Sequence, residues 1–141
     1  LLKTVLSPSS DQIAKTVARK HGWRILPTGA YAANMLNLST QVPMKIAYQS
    51  DGPSKSMKFG NSTIYFKKTA PKDMASDEMS GLVINALKYL GKDHVTPSVI
   101  AKLSSRFDEK QKRRLLKEAQ FRTDWIFEMI QKICKDGDRD G

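Results

Sequence analysis

Between residues 44 and 68 the apolar side chains recur at every second position, whereas on either side they recur every third or fourth. An alternating apolar face can be buried only by a strand, and a face with the wider spacing only by a helix. The chain is therefore an α+β fold: a small, mostly antiparallel sheet with an N-terminal helix and a C-terminal group of three or four helices. Three strands are predicted, "MKIAYQS" (44–50), "SKSMKFG" (54–60) and "STIYFKK" (62–68), divided by the turn signals Asp51-Gly52-Pro53 and Gly60-Asn61. Their simplest arrangement is an antiparallel meander. Alternation puts Met44, Ile46, Tyr48, Met57, Phe59, Ile64 and Phe66 on one face against helices. Lys45, Lys58, Tyr65 and Lys67 go to the other face.

Local signals set the flanking elements. Ser9 with Gln12 three residues on has the form of a capping box, and Ile13, Ala14, Val17 and Ala18 continue one helical stripe to His21-Gly22. "WRIL" (23–26) reads as a short strand, and Thr28 as the cap of a small helix over 30–36. Met79, Leu82, Val83, Ala86, Leu87 and Leu90 form the clearest helical stripe, with Ser76 as cap and Gly91 as stop. Thr96-Pro97 opens another helix, and Asp108 with Gln111 opens a further one that breaks near residues 121–123 and resumes from 124 to 135. The organisation expected is one structural unit: a basic α/β portion with the meander over 1–72, a helical portion packed on it over 73–135, and a disordered tail over 136–141.

Residues 25–43, "ILPTGAYAANMLNLSTQVP", carry no charge in a chain of net charge +10. A strand, a turn and a small-residue helix packed inside the domain account for this. Gly29 provides a positive φ or a close backbone approach, and Pro43 blocks helix propagation. Asn34, Thr40 and Gln41 either satisfy backbone groups of the turn or offer hydrogen bonds to a partner.

The charge is uneven along the chain. Residues 1–72 hold eleven Lys or Arg against two acids, and residues 73–141 thirteen against twelve. A basic half of this kind steers the chain toward phosphate backbones or an acidic partner. The residues expected to act are Lys45, Lys55, Lys58, Lys67, Lys68 and Tyr65, with Arg24 nearby. A secondary basic surface is expected on one helix, where Lys110, Lys112, Arg113, Arg114 and Lys117 line the exposed side and Leu115, Leu116 and Ala119 the buried one. Glu109 and Glu118 dilute its field.

Other chemistries are poorly served. The basic half has only Asp11, at a helix start, and Asp51, in a turn, so no carboxylate cluster for acid–base or metal catalysis is expected. His21 and His94 stand beside helix ends and read as structural. Cys134 is the single cysteine and continues the Ile126, Met129, Ile130, Ile133 stripe, which makes it a core residue and excludes an internal disulfide. No cofactor, metal or catalytic residue is predicted. No run is long enough to cross a bilayer and no signal-peptide pattern is present, so the expectation is a cytoplasmic protein with no membrane partner. The sequence opens on Leu-Leu rather than Met, which reads as a fragment whose natural start lies upstream.

Residues 22–68 resemble the bacterial AbiEi antitoxins of type IV toxin–antitoxin systems. The likeness is carried by "PTGAYAANMLNLSTQVP", a strand, "GPSK", and the glycine-linked hairpin "KFGNSTIYFK"; residues 77–133 are similar to the tail of the same proteins. The resemblance implies the antitoxin region that follows an N-terminal winged helix, in a transcriptional regulator that counters a cognate nucleotidyltransferase-like toxin. No winged helix precedes the region in this sequence, so operator reading would belong to a segment upstream. Two alternatives remain open at this point: a stand-alone basic RNA- or DNA-binding module, and a metal-independent ribonuclease using Tyr65 among the lysines.

Overall fold

The computed structural model of the chain describes residues 9–39 and 45–136. Six α-helices and one four-stranded sheet make up the described residues: α1 (Ser10–His21), β1 (Ile25–Pro27), α2 (Gly29–Met35), β2 (Lys45–Ser50), β3 (Lys55–Phe59), β4 (Ser62–Lys68), α3 (Glu78–Leu90), α4 (Pro97–Arg106), α5 (Glu109–Ala119) and α6 (Asp124–Asp136). This is the expected α+β class, with an N-terminal helix and four helices after the sheet. Met44, Pro43, Thr40, Gln41 and, of the expected tail, residues 137–141 lie outside the described residues; Asp136 closes α6.

The strands are not a meander. Their order is β1-β2-β4-β3: β1 pairs with β2 antiparallel, β2 with β4 parallel, and β3 with β4 antiparallel. The Gly60-Asn61 turn does join a hairpin, with Gly60 at φ 61°. Asp51-Gly52-Pro53 instead carries the chain past the place that β4 will fill. Apolar content explains the exchange: β4 contributes Ile64 and Phe66, both fully buried, whereas β3 has two exposed lysines and only half-buried apolar residues. The strand with the larger apolar contribution takes the centre, and the polar one takes the edge, where charge discourages further pairing.

One sheet face is covered by α1, which lays Ile13, Ala14 and Val17 on Ile46, Tyr48, Ile64 and Phe66. The Ser9–Gln12 capping box forms, with Ser9 Oγ accepting from Gln12 N at 3.1 Å and Gln12 Oε1 from Ser9 N at 2.9 Å. Gly22, at φ 71°, ends the helix. The other face is covered over its β1 and β2 half by α2 and α3. There Ala32, Ala33 and Leu36 join a core with Val83, Ala86, Leu87, Leu103, Leu115, Ile130 and Ile133. The described part of the charge-free stretch, residues 25–39, is thus an edge strand and a helix enclosed between sheet and helices. Gly29 is required by its φ of 64° and not by crowding, since a Cβ there would meet nothing.

Two expected caps are replaced. Thr28 stands at the start of α2 without a side-chain cap bond, and Asp77 rather than Ser76 caps α3, accepting from Ser80 N at 3.0 Å. Ser76 turns away and donates to Glu118 Oε1 at 2.7 Å. Thr96 and Asp108 cap α4 and α5 as expected, and Cys134 is buried in the α5–α6 seam.

The Asp51-Gly52-Pro53 turn is held against Trp23, whose indole stacks on His21 at 4.6 Å and meets Phe66 edge-on at 5.7 Å. A Cβ on Gly52 would fall on the indole itself, overlapping its Nε1, Cδ1 and Cε2. Gly52→Ala should therefore cost about 1–3 kcal/mol of stability as overpacking against a rigid ring. Urea unfolding should show a lowered midpoint with unchanged slope. The loss should largely disappear in a Trp23→Leu background, as a double-mutant cycle would register.

Candidate nucleic-acid interface

Strand register decides which cations stand together. In β2 and β4, Ala47 lies opposite Tyr65, Lys45 opposite Thr63 and Gln49 opposite Lys67; in β3, Ser56 lies opposite Tyr65 and Lys58 opposite Thr63. Lys45, Lys58, Tyr65 and Lys67 therefore project from the sheet face that α1 does not cover; Lys58, Tyr65 and Lys67 stand in the β4 and β3 half that α2 and α3 leave open, and Lys45, at the start of β2, stands at its border. All three lysines are exposed, and Tyr65 is 37% exposed although it stands on an inner strand. Lys45 Nζ sits 5.8 Å from the centroid of the Tyr65 ring. Around the ring lies an open depression of about 610 Å³, bordered by Thr28, Ala47, Ser54 and Ser56 and by Lys45, Lys55 and Lys67, with no carboxylate on its lining; Lys58 shares the face by register but stands outside this lining.

The other predicted cations do not share that register. Lys68 is exposed but shares the register of Ile64 and Phe66 and so lies at the rim of the opposite face, whereas Lys55, exposed and opposite Phe66 at the start of β3, also borders the depression around Tyr65. Arg24 precedes β1, at the far edge of the sheet. Its backbone N–H donates to Asp51 Oδ1 at 2.8 Å and its guanidinium donates to the Ala75 carbonyl, which ties it to the start of α3. On α5, Lys110, Arg113, Arg114 and Lys117 are exposed as expected, but Lys112 is not. Lys112 falls three residues before Leu115 and seven before Ala119, on the buried stripe, and is 6% exposed. Its aliphatic stem fills the core and its ammonium donates to Ser104 Oγ at 3.3 Å. Sequence reading placed it outside because a lysine at a core position is scored by its charge and not by its stem.

A second concavity, of about 560 Å³, lies between α1, β1 and α3. Its lining includes three cations, Lys15, Arg19 and Arg24, together with two acids, Asp11 and Glu78, so its charges are mixed where those of the sheet face are of one sign. At its end is a polar network that the sequence did not reveal. Tyr48 Oη donates to Asp11 Oδ1 at 2.6 Å, Tyr31 Oη donates to the same oxygen at 3.1 Å, and Lys15 pairs with Oδ2 at 2.9 Å. Tyr48 occupies an apolar register position in β2, and its hydroxyl needed a partner; that was the available signal. Burial alone would raise the Asp11 carboxyl, but the hydrogen bonds from Tyr48, Lys15 and Tyr31 and the charge of Lys15 outweigh it and hold the group below its ordinary value. Burial pushes the Tyr31 phenol up to about 12, with the Asp11 charge adding to the effect, and burial raises Tyr48 as well.

A family model matches residues 2–115, a span that contains the whole sheet and its lysine face. The chain belongs to DUF6088, a family of unknown function. No curated protein and no solved structure matches it. The DUF6088 match ends within α5, so α6 packs onto the matched region from beyond it. Among the described residues no cluster of His, Cys, Asp and Glu could hold a metal ion, and no helix is long and apolar enough to cross a membrane.

The network around Asp11 has a pH signature. A phenol whose folded-state value is raised supplies stability that is complete below the unfolded value of 10.0 and is lost as pH rises toward about 12. The stability difference between the wild-type chain and Tyr31→Phe should shrink over that alkaline window when followed by urea unfolding. Asp11 has the opposite sign: its contribution is complete above the unfolded value of 3.8 and is lost on acidification below it. The advantage of the wild type over Asp11→Asn should fade in that range.

Proposed function

We propose that this DUF6088 chain is a non-catalytic domain that binds a polyanion through its open sheet face, as part of an AbiEi-like antitoxin and transcriptional regulator. The observation that carries the reading is that strand register puts Lys45, Lys58 and Lys67 on the same sheet face as Tyr65, beside a depression whose lining has no acid. Uncompensated lysines on one plane attract phosphates at long range and hold them without base specificity. The AbiEi part of the reading rests on the resemblance over residues 22–68, the stretch that forms β1, α2 and the rest of the sheet. Its partners would be nucleic acid, or an acidic surface on a cognate nucleotidyltransferase-like toxin. Operator specificity would lie in an upstream winged helix.

Binding to a mixed-sequence nucleic acid, followed by fluorescence anisotropy, should weaken steeply between about 50 and 200 mM salt. Replacing Lys45, Lys58 and Lys67 together by alanine should flatten the slope of log K against log salt by about 2–3, because each phosphate a lysine neutralises adds somewhat under one to that slope. A salt-insensitive interaction would point to an apolar protein interface. RNA cleavage that persists in chelator and is abolished by Tyr65→Phe would replace the proposal with the ribonuclease.

The antitoxin role has its own test. Co-expression of the full-length gene with an adjacent nucleotidyltransferase-like gene should restore the growth that the neighbour alone arrests, and the triple-lysine variant should restore it less. Unrelieved arrest by the wild type would end the antitoxin assignment and leave the binding face to be judged by the salt series.

A further inference from the structure

We infer that the polyanion taken by this face is single-stranded nucleic acid, with one unstacked base laid against the ring of Tyr65. The inference rests on the binding reading above and specifies the form of the partner. Its starting point is the ring itself. Tyr65 stands on β4, between β2 and β3, and its cross-strand neighbours are Ala47 and Ser56. Both are short, so the sides of the ring are not walled in by neighbouring side chains. The core does not need this ring, because Ile64 and Phe66 fill the other face of the same strand.

The lysines bracket the ring along and across the strands. Lys45 and Lys58 flank Thr63, one side-chain row below Tyr65, and Lys67 stands one row beyond it. Successive rows on one face are about 7 Å apart, and Lys45 and Lys58, two strand spacings apart, are separated by about 10 Å at the backbone. A base on Tyr65 would thus have ammonium groups on either side to receive its flanking phosphates. Lys45 presently leans over the ring at 5.8 Å. A cation over an exposed ring is held only weakly, so it can give way to a base and move to a phosphate. Thr28, Ser54 and Ser56 border the depression with hydroxyls able to meet base edges.

The form of the partner follows from access. In a duplex the bases are stacked on one another and offer only their edges in the grooves. A ring lying within a depression among lysines cannot insert into that stack, so a duplex would touch the lysines alone. An unpaired strand can turn a base onto the ring, and every base has a π-face to offer.

The experiment compares a short mixed-sequence single strand, as RNA and as DNA, with the blunt duplex of equal length, using the whole chain and its variants. Tyr65→Ala should weaken single-strand binding about tenfold, within the range of one lost stack, while leaving duplex affinity and the salt slope unchanged. Tyr65→Phe and Tyr65→Trp should bind the single strand as the wild type does. Tyr65→Leu, which keeps bulk on the inner strand, should show the alanine defect with an unaltered melting temperature, separating lost stacking from lost folding. Unchanged single-strand affinity in Tyr65→Leu, or tighter binding of duplex than of single strand by the wild type, would overturn the inference; loss of all binding in the triple-lysine variant would then still uphold the underlying reading. Full binding by the triple-lysine variant would overturn the underlying reading instead.

Discussion

Helix α3 is buried on nearly every side from Ser80 to Leu87, and the rest of the molecule is arranged to bury it. Such a helix needs neighbours all round. It has α2 and β1 on one side and the core shared with α5 and α6 on the other. Its contact with the sheet is close because Gly81 lies over Leu26, where a Cβ would come within 2.9 Å of Leu26 Cδ1. The same contact is polar at one point. The buried amide of Asn85 donates to the Pro27 carbonyl at 2.9 Å and to Gln49 Oε1 at 3.0 Å, joining α3 to β1 and β2 together. A buried amide is stable only with its partners in place, so this bond sets the position of the helix on the sheet as well as its attraction to it. With α3 placed over β1 and β2, the β4 and β3 half of that face is left uncovered.

The open half carries its charge because the acids nearby are engaged elsewhere. Of the two acids in the basic half, Asp11 is shared by Tyr48, Tyr31 and Lys15 under the α1 side of the sheet, and Asp51 holds the backbone of Arg24 at the far edge. The ion pairs among the described residues are Lys15–Asp11 and Arg122–Glu118, and neither reaches the sheet face. Lys45, Lys58 and Lys67 therefore keep their full field toward solvent. The cleft between α1, β1 and α3 has a similar volume but mixed charge, which is why charge, not size, distinguishes the two concavities. Exposed lysines around an exposed ring, backed by a dry face of Ile46, Tyr48, Ile64 and Phe66, make a platform that is rigid below and cationic above.

Residue order alone determined the helices and strands, because caps, glycine stops and apolar spacing act over a few residues: Ser9 with Gln12, Thr96 with Pro97, Asp108 with Gln111 and the Gly60 hairpin are all local devices. Alternation likewise determined that Lys45, Lys58, Tyr65 and Lys67 share one face, since the side-chain period of a strand is a property of its own backbone. Strand order was decided only by the tertiary structure. β4 displaced β3 from the centre because burying Ile64 and Phe66 under α1 outweighs the short connection of a meander, and that comparison involves elements far apart in sequence. Long-range packing also sorted the cations, drawing Lys112 into the core against Ser104 and holding Arg24 at Ala75. Whether a charge faces solvent depends on what lies across from it, and no stretch of sequence contains its own opposite side.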